Sequence, residues 1–125
     1  MDPFVLIAAD PPWRYQNTAT RAAATRHYKD LSVPEIAALG AHLIPTIADD
    51  AILFLWVTPA LLLEGAGTIV CRAWGFEPKQ LFVWAKTSAD LERPRIGLGN
   101  YFRAAHEPAI LATRGSATKL IGDRS

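Results

Sequence analysis

Four short, largely apolar runs lie along the chain, each bounded by polar or turn-forming residues. They span 4–9, 51–57, 80–85 and 108–113. Apolar positions follow one another in these runs instead of alternating with polar ones, which is typical of strands covered on both faces, as in a parallel sheet. The pattern therefore predicts four buried strands.

Two capping patterns between these runs predict helices. Ser32 is followed three residues later by Glu35, with a proline in the first turn, which is the pattern of a capping box. Thr58 precedes a second helical segment over about 59–74, which Gly75 ends. Two glycines inside that segment weaken its helical pattern.

The order of the elements is strand, helix, strand, helix, strand, loop and strand. Such alternation predicts an α/β fold with a largely parallel sheet. Ligands of such sheets bind beyond the carboxyl ends of the strands. The predicted ends carry Asp10-Pro11-Pro12-Trp13, Val57-Thr58, Lys86-Thr87 and Thr113-Arg114.

Composition narrows the class of protein. The chain has 125 residues, half hydrophobic and a fifth charged, which indicates one globular domain over residues 1–125. No apolar run approaches the ~18 residues of a membrane span, and no export signal is evident, so we expect a cytoplasmic protein without a membrane partner. The single cysteine excludes an internal disulfide and a multi-thiolate metal site. A net charge of +1 neither demands nor excludes a nucleic-acid partner.

The motif Asp10-Pro11-Pro12-Trp13 points to chemistry. An ionised aspartate only accepts hydrogen bonds, and proline has no backbone N–H, so we expect a rigid turn with free proline carbonyls beside an aromatic plate. This set suits a planar ligand with an NH₂ group, such as adenine or cytosine. Accepting the hydrogens of that amine raises the electron density on its nitrogen. A strand-ending turn with a capping aspartate and a packed tryptophan is the structural alternative.

The same motif resembles the D-P-P-W signature of the N6-adenine methyltransferases related to the eukaryotic messenger-RNA adenosine methyltransferase, and in particular their bacterial and phage members. Further blocks resemble segments of those proteins, in the same order, over about residues 4–125. They are His27-Tyr28-Lys29-Asp30-Leu31-Ser32, Leu53-Phe54-Leu55-Trp56-Val57-Thr58, Ala73-Trp74-Gly75-Phe76, Phe82-Val83-Trp84-Ala85-Lys86, Gly97-Leu98-Gly99-Asn100-Tyr101-Phe102-Arg103, His106-Glu107 and Thr113-Arg114-Gly115.

The resemblance implies a Rossmann-like methyltransferase fold that uses S-adenosylmethionine as its methyl donor. The acceptor would be the exocyclic amine of adenine in nucleic acid, DNA before RNA, and a base in a duplex would first be flipped out. Asp10 and Pro11 would hold the amine, Pro12 would shape the turn, and Trp13 would line the base pocket. Asp10 would also face the cofactor. No metal and no covalent enzyme intermediate are implied.

Other positions carry weaker expectations. Lys86 would contact a phosphate or the carboxylate of the cosubstrate, although a solvated lysine explains it equally well. Arg14 and Tyr15 continue the motif on the substrate side. Arg103 and Glu107 match family positions beside the site, or else form a structural ion pair. Basic residues in both predicted loops, 13–30 and 87–103, would contact phosphates on either side of a flipped base, and an ordinary polar loop explains them almost as well.

The remaining aromatic and titratable residues are expected to be structural. Trp56, Trp74 and Trp84 are expected in the core. Cys71 lies in an apolar helix and is expected to be inert. The three histidines have no spacing that would bring two of them together with an acid, so no metal site is expected.

The main departure from the family pattern is the end of the chain. Relatives continue beyond the segment at Thr113-Arg114-Gly115 with a helix and a further strand, whereas this sequence ends at Ser125. We therefore expect a fold incomplete at its C-terminus, with an exposed sheet edge, and a homodimer or a complementing protein chain as a further partner. The alternative functions are a non-catalytic nucleic-acid-binding or partner subunit, and an enzyme that methylates cytosine or a glutamine amide.

Overall fold

The computed structural model describes residues 2–14, 30–85 and 106–122, with the backbone alone at 84, 85 and 106. In chain order its strands and helices are β1 (Phe4–Ala9), α1 (Val33–Ala38), α2 (Gly40–Leu43), β2 (Ile47–Trp56), α3 (Pro59–Leu63), α4 (Ala66–Ala73), β3 (Glu77–Ala85) and β4 (His106–Arg114). Short 3-10 helices precede β2 and follow β4. The four predicted strands are confirmed, and three of them start two to four residues earlier than predicted.

The strands form one sheet in the order β1-β2-β4-β3. β1 pairs with β2 in parallel, and β4 is antiparallel to both β2 and β3. Three strands therefore run in one direction and β4 runs against them. The α/β class is confirmed, but the prediction of a largely parallel sheet is wrong for the strand pairing, because two of the three neighbouring pairs are antiparallel.

The inverted β4 corrects a prediction about the ligand edge. Thr113–Arg114 was expected at the same edge as Asp10, but Arg114 pairs with Ala51, near the beginning of β2, and therefore lies at the opposite edge. Glu107, at the amino end of β4, takes the place beside the carboxyl ends of the other strands. The physical reason is that β4 pairs antiparallel with both of its neighbours, which exchanges the edges at which its two ends lie.

The segment after β4 closes the opposite edge of the sheet. Asp50 accepts a hydrogen bond at Oδ1 from the backbone N–H of Ser116 at 2.7 Å, and its Oδ2 pairs with Lys119 Nζ at 2.6 Å. Gly115 makes this turn with a φ of +66°, and a Cβ there would collide with the Asp49 carbonyl. These contacts, with the Lys119 hydrogen bond as the largest, lower the pKa of Asp50. The block that ends in Gly115 is therefore structural.

The contacts of Asp50 with Ser116 and Lys119 predict a pH-dependent contribution of this carboxylate to stability. The folded pKa is lowered from the ordinary value of 3.8, so the stabilisation is present above that value and is lost as the pH falls through the lowered pKa. We expect Asp50→Asn to lower the Tm at neutral pH and to match the wild type in strong acid. Thermal unfolding across pH measures this, with Asp49→Asn as the control. A Tm difference that does not change with pH would contradict it.

Both predicted helix starts are confirmed. The Ser32 hydroxyl accepts from the backbone N–H of Glu35 at 3.2 Å, and the Glu35 carboxylate accepts from the N–H of Ser32 at 3.0 Å. This reciprocal pair is the capping box of α1. The Thr58 hydroxyl caps α3 by accepting from the N–H of Leu61 at 3.4 Å. The caps satisfy donors that a first helical turn leaves unpaired.

The single helix predicted over 59–74 is two helices. Gly65 takes a φ of +82° between α3 and α4, and Gly75 follows the end of α4 with a φ of +86°. Glycine adopts this left-handed conformation readily because it has no Cβ. The prediction was wrong because one glycine turns the chain inside an otherwise helical segment.

The hydrophobic core lies between one face of the sheet and the helices. α4 approaches the sheet at Gly67, where a Cβ would lie 2.5 Å from Ile110 and 2.8 Å from Val57. The Trp74 indole is 3% exposed, and its Nε1–H donates to the Ile36 carbonyl at 3.0 Å, which joins the end of α4 to α1. The core consists of Trp13, Ile36, Ile47, Ala51, Leu53, Leu55, Val57, Leu61, Ala66, Val70, Cys71, Trp74, Phe76, Ile110 and Ala112.

The other face of the sheet carries exposed apolar side chains. Leu6 on β1 and Phe82 on β3 are 59% and 50% exposed. Phe54 on β2 meets Phe82 edge to face, with ring centroids 6.1 Å apart. In the part of the chain that the structure describes, the helices cover one face of the sheet, so the prediction of cover on both faces is confirmed for that face alone.

Close packing of α4 on the sheet predicts that Gly67→Ala destabilises the fold. The added methyl group has to displace both Ile110 and Val57, and overpacking of this kind costs about 1–3 kcal/mol. Urea unfolding measures the change in the free energy of unfolding. Gly122→Ala is the matched control, because a Cβ at Gly122 meets open space. Equal stability of the two variants would contradict the close approach.

Candidate functional site

The turn after β1 is closed by backbone hydrogen bonds on both sides. The Trp13 N–H donates to the Pro11 carbonyl at 2.8 Å, which tightens the turn itself. The Leu31 N–H donates to the Pro12 carbonyl at 2.9 Å, and the Arg14 N–H donates back to the Leu31 carbonyl at 3.0 Å. Trp13 and Leu31 thus form a short parallel bridge. The turn is therefore pinned to the segment that leads into α1.

These bonds correct the expectation that the proline carbonyls are free. Pro11 and Pro12 each already accept one backbone hydrogen bond. A carbonyl oxygen has two lone pairs, so each still has one acceptor direction left. Hydrogen bonds hold the turn as expected, and the acceptor capacity of its two proline carbonyls is half of what the sequence suggests.

The Asp10 side chain lies exposed at the carboxyl edge of the sheet. It follows directly on β1, whose last residue, Ala9, pairs in register with Leu55 near the end of β2. Among the described residues, its carboxylate has no hydrogen bond or ion pair. An exposed acceptor at the ends of two parallel strands is available to a ligand at the place where such sheets bind ligands.

Trp13 is buried and does not present an open ring. Its side chain is 5% exposed and belongs to the core. The indole Nε1–H donates to the carbonyl oxygen of Trp56, the last residue of β2, at 2.8 Å. The expected stacking plate is therefore not what the structure shows, since almost none of the ring is left for a base. The packed tryptophan of the structural alternative is present.

Arg14 is tied to the start of α1. Its Nη2 donates to the Asp30 carbonyl at 3.1 Å and pairs with Glu35 Oε1 at 3.4 Å. The two side chains of this ion pair are 53% and 46% exposed, so the pair contributes little stability. The guanidinium therefore remains accessible from the solvent near the candidate site.

Of the other predicted site residues, the structure describes only Glu107. It is exposed and lies on β4 opposite Trp84 of β3, at the ligand edge. Tyr15, Lys86 and Arg103 lie outside the described residues, as do most of the basic positions of both predicted loops. Their expected roles stay predictions.

Two groups that hold the site in place belong to the backbone and could not be predicted from side chains alone. They are the backbone carbonyl of Trp56 and the backbone of Leu31, which hold the turn from two directions. Trp56 was expected to be a core residue, and it is half-buried in the structure. A partial signal was present, because a buried indole N–H needs an acceptor, but the sequence does not tell which one.

The described residues offer no alternative catalytic centre of the metal or thiol kind. Within them, no group of three or more His, Cys, Asp or Glu side chains could hold a metal ion. Cys71 is fully buried, and this burial raises the pKa of its thiol to about 12. The thiol is therefore protonated at neutral pH, which agrees with the expectation that it is inert.

The raised pKa predicts that Cys71 resists alkylation in the folded protein. The thiolate is the reactive form, and the thiol is also covered by the core. We expect negligible labelling by iodoacetamide at pH 8 under native conditions, and one label per chain in denaturant. Intact-mass spectrometry counts the labels. Rapid labelling of the native chain, at a rate similar to that of the unfolded chain, would show that the thiol is accessible.

Comparison with known proteins identifies the class of protein to which this sheet and turn belong. The MT-A70 family model matches residues 4–125. The chain therefore belongs to the MT-A70 family, and its four-stranded mixed sheet is consistent with the Rossmann-like fold of the methyltransferases in that family.

Named relatives agree with this assignment. The chain is 29% identical over 118 residues to the N(6)-adenosine-methyltransferase MT-A70-like protein of Drosophila melanogaster, covering 94% of this chain and 17% of that protein. It is 28% identical over 114 residues to the N(6)-adenosine-methyltransferase catalytic subunit METTL3 of Homo sapiens, covering 90% of this chain and 18% of that protein. The chain thus spans less than a fifth of the length of these curated relatives.

The helices in the described part of the chain are short. None of its helices combines the length and the apolar character needed to cross a bilayer. The longest, α4, has eight residues.

Proposed function

We propose that this chain belongs to a methyltransferase domain that transfers a methyl group from S-adenosylmethionine to the exocyclic amine of adenine in nucleic acid. One observation carries the proposal: Asp10 presents an exposed carboxylate on a rigid turn at the carboxyl edge of the sheet, in a chain of the MT-A70 family. The names of the relatives, which include N(6)-adenosine methyl transfer, support the same chemistry.

The turn supplies acceptors of the kind that an aromatic amine needs. The amine of adenine is a weak nucleophile because its lone pair is drawn into the ring. Asp10 would accept one N–H, and the lone pair left on the Pro11 carbonyl would accept the other. Both interactions raise the electron density on nitrogen and orient its lone pair. The nitrogen sheds one proton as it becomes methylated, and the Asp10 carboxylate would hold that proton before water takes it.

The residues present fit S-adenosylmethionine chemically. The exposed Asp10 carboxylate complements a cosubstrate that carries a positively charged sulfonium. When bound, the cosubstrate supplies an electrophilic methyl group. Lys86 is the next residue in the sequence after β3, whose carboxyl end lies at this edge, and it would contact the carboxylate of the cosubstrate. Asp10 and Lys86 are thus the proposed cofactor-binding residues.

The proposed substrate side is built around the same edge. Arg14, tied to Glu35 but half-exposed, would contact a phosphate of the strand that carries the target base. Glu107 lies at the amino end of β4 on this edge. Tyr15 and Arg103 complete the proposed set from their positions in the sequence. Trp13 would shape the base pocket from beneath the turn.

DNA and RNA each have one argument in favour. The sequence blocks resemble bacterial and phage members, for which DNA is the first acceptor to test. The relatives are named for adenosine, which is a ribonucleoside. The human relative is named as a catalytic subunit, which supports a second protein chain as a partner, as the alternative to a homodimer.

The experiment compares Asp10→Ala with the wild type and with Asp49→Ala. Asp49 is an exposed aspartate at the other end of the sheet, so it is the matched control. DNA and RNA oligonucleotides are incubated with S-adenosylmethionine, and mass spectrometry identifies the methylated nucleoside. Loss of Asp10 should reduce methyl transfer by roughly 10²–10³-fold, while oligonucleotide binding, followed by anisotropy, stays unchanged. Asp49→Ala should behave as the wild type.

The other outcomes identify the alternatives. A wild-type chain that binds oligonucleotides and transfers no methyl group would indicate a non-catalytic subunit. Detection of methylcytosine, or of methylated glutamine in a peptide substrate, would show that cytosine or a glutamine amide is the acceptor instead of adenine. Full activity of Asp10→Ala would overturn the proposed role of the turn.

A further inference from the structure

We infer that Trp13 is a positioning residue that holds the Asp10–Pro12 turn against the end of β2, and that it is not a surface on which the target base stacks. The inference deepens the proposed function and rests on it for its catalytic consequence. Its structural part stands on the hydrogen bond from Trp13 Nε1–H to the Trp56 carbonyl at 2.8 Å.

The burial of Trp13 decides between the two roles. A stacking residue has to offer one face of its ring to the ligand. With 5% of its surface exposed and core side chains around it, Trp13 has no such face to offer. Its polar atom is also committed, because the indole has a single donor and that donor is bonded to Trp56.

The turn has little freedom once Trp13 is held. Two prolines separate Asp10 from Trp13, and their φ angles are locked by the pyrrolidine rings. The Trp13 N–H closes back on the Pro11 carbonyl at 2.8 Å. A shift of the indole is therefore transmitted to the Asp10 carboxylate with few torsions to absorb it. A misplacement of about 1 Å at a reacting group can reduce a rate by ~10²-fold.

Two attachments hold the turn, and each supports the other because both act on the same proline-restricted segment. The indole of Trp13 joins it to β2, and the Trp13–Leu31 bridge joins it to the segment before α1. The backbone attachment does not involve the tryptophan side chain. The indole hydrogen bond is thus an attachment between this turn and the end of β2 that a substitution can remove.

Trp13→Phe separates the two roles. Phenylalanine keeps an aromatic ring on which a base can stack, but it lacks the N–H that bonds to Trp56. Trp74→Phe is the matched control, because Trp74 is 3% exposed and its Nε1–H also donates to a backbone carbonyl, that of Ile36, at 3.0 Å. Trp74 caps α4 and is not part of the turn.

Kinetics give the first readout. We expect Trp13→Phe to lower kcat about 10–100-fold with little change in KM, and Trp74→Phe to leave kcat near that of the wild type. Thermal unfolding of both variants accounts for any common loss of stability. An unchanged kcat in Trp13→Phe, or an equal fall in both variants, would overturn the inference.

Hydrogen exchange gives a second readout that needs no activity. In the wild type, the Trp13 indole N–H should exchange slowly, and it should keep its NMR resonance when adenine-containing DNA or RNA oligonucleotides are added. Fast exchange, or a large ring-current shift on addition of either oligonucleotide, would overturn the inference. In folded Trp13→Phe, the amides of Arg14 and Leu31 should lose protection, and in Trp74→Phe they should keep it.

The two readouts separate this inference from the proposed function. If the wild type transfers no methyl group, the proposed function fails, and the exchange of the Trp13 indole decides the positioning role by itself. If the wild type is active and the indole is unprotected, the proposed function stands and the positioning role fails.

Discussion

The geometry of the candidate site depends on one buried donor. An indole N–H removed from water has to find an acceptor, because an unpaired buried donor costs about 1–3 kcal/mol. Trp13 finds it at the end of β2, in the Trp56 carbonyl. The turn after β1 must then lie against the end of β2, and the two prolines carry that constraint back to Asp10. The same packed side chain thus serves the core and the edge of the sheet.

The direction of β4 decides which residues share that edge. Because β4 runs against its neighbours, its amino end, with Glu107, lies beside the carboxyl ends of β1 and β2. Its carboxyl end leads into the segment in which Ser116 and Lys119 bind the Asp50 carboxylate. The sequence blocks shared with the family therefore divide into two groups. One group lies near the carboxyl ends of β1 and β2, and the other stabilises the opposite edge of the sheet.

Family membership and geometry answer different questions. The match over residues 4–125 identifies the family, while the curated relatives are several times longer than this chain. The geometry shows what individual residues do within the described part: Asp10 is exposed, Trp13 is a packed anchor, and Arg14 is paired with Glu35. A motif shared by sequence therefore contains residues with different physical tasks, of which only some are exposed at the carboxyl edge of the sheet.

The sequence by itself determined the four strands, two helix starts and the candidate turn. Local signals sufficed for the Ser32–Glu35 capping box, the Thr58 cap and four apolar strands, because each depends on neighbouring residues. Tertiary structure alone decided the inversion of β4, the burial of Trp13 and the bonded state of the proline carbonyls. These depend on partners distant in the chain, such as Trp56, whose backbone carbonyl carries no sequence signature. Local chemistry can therefore indicate that Trp13 needs a partner, but only the packing of the sheet selects it.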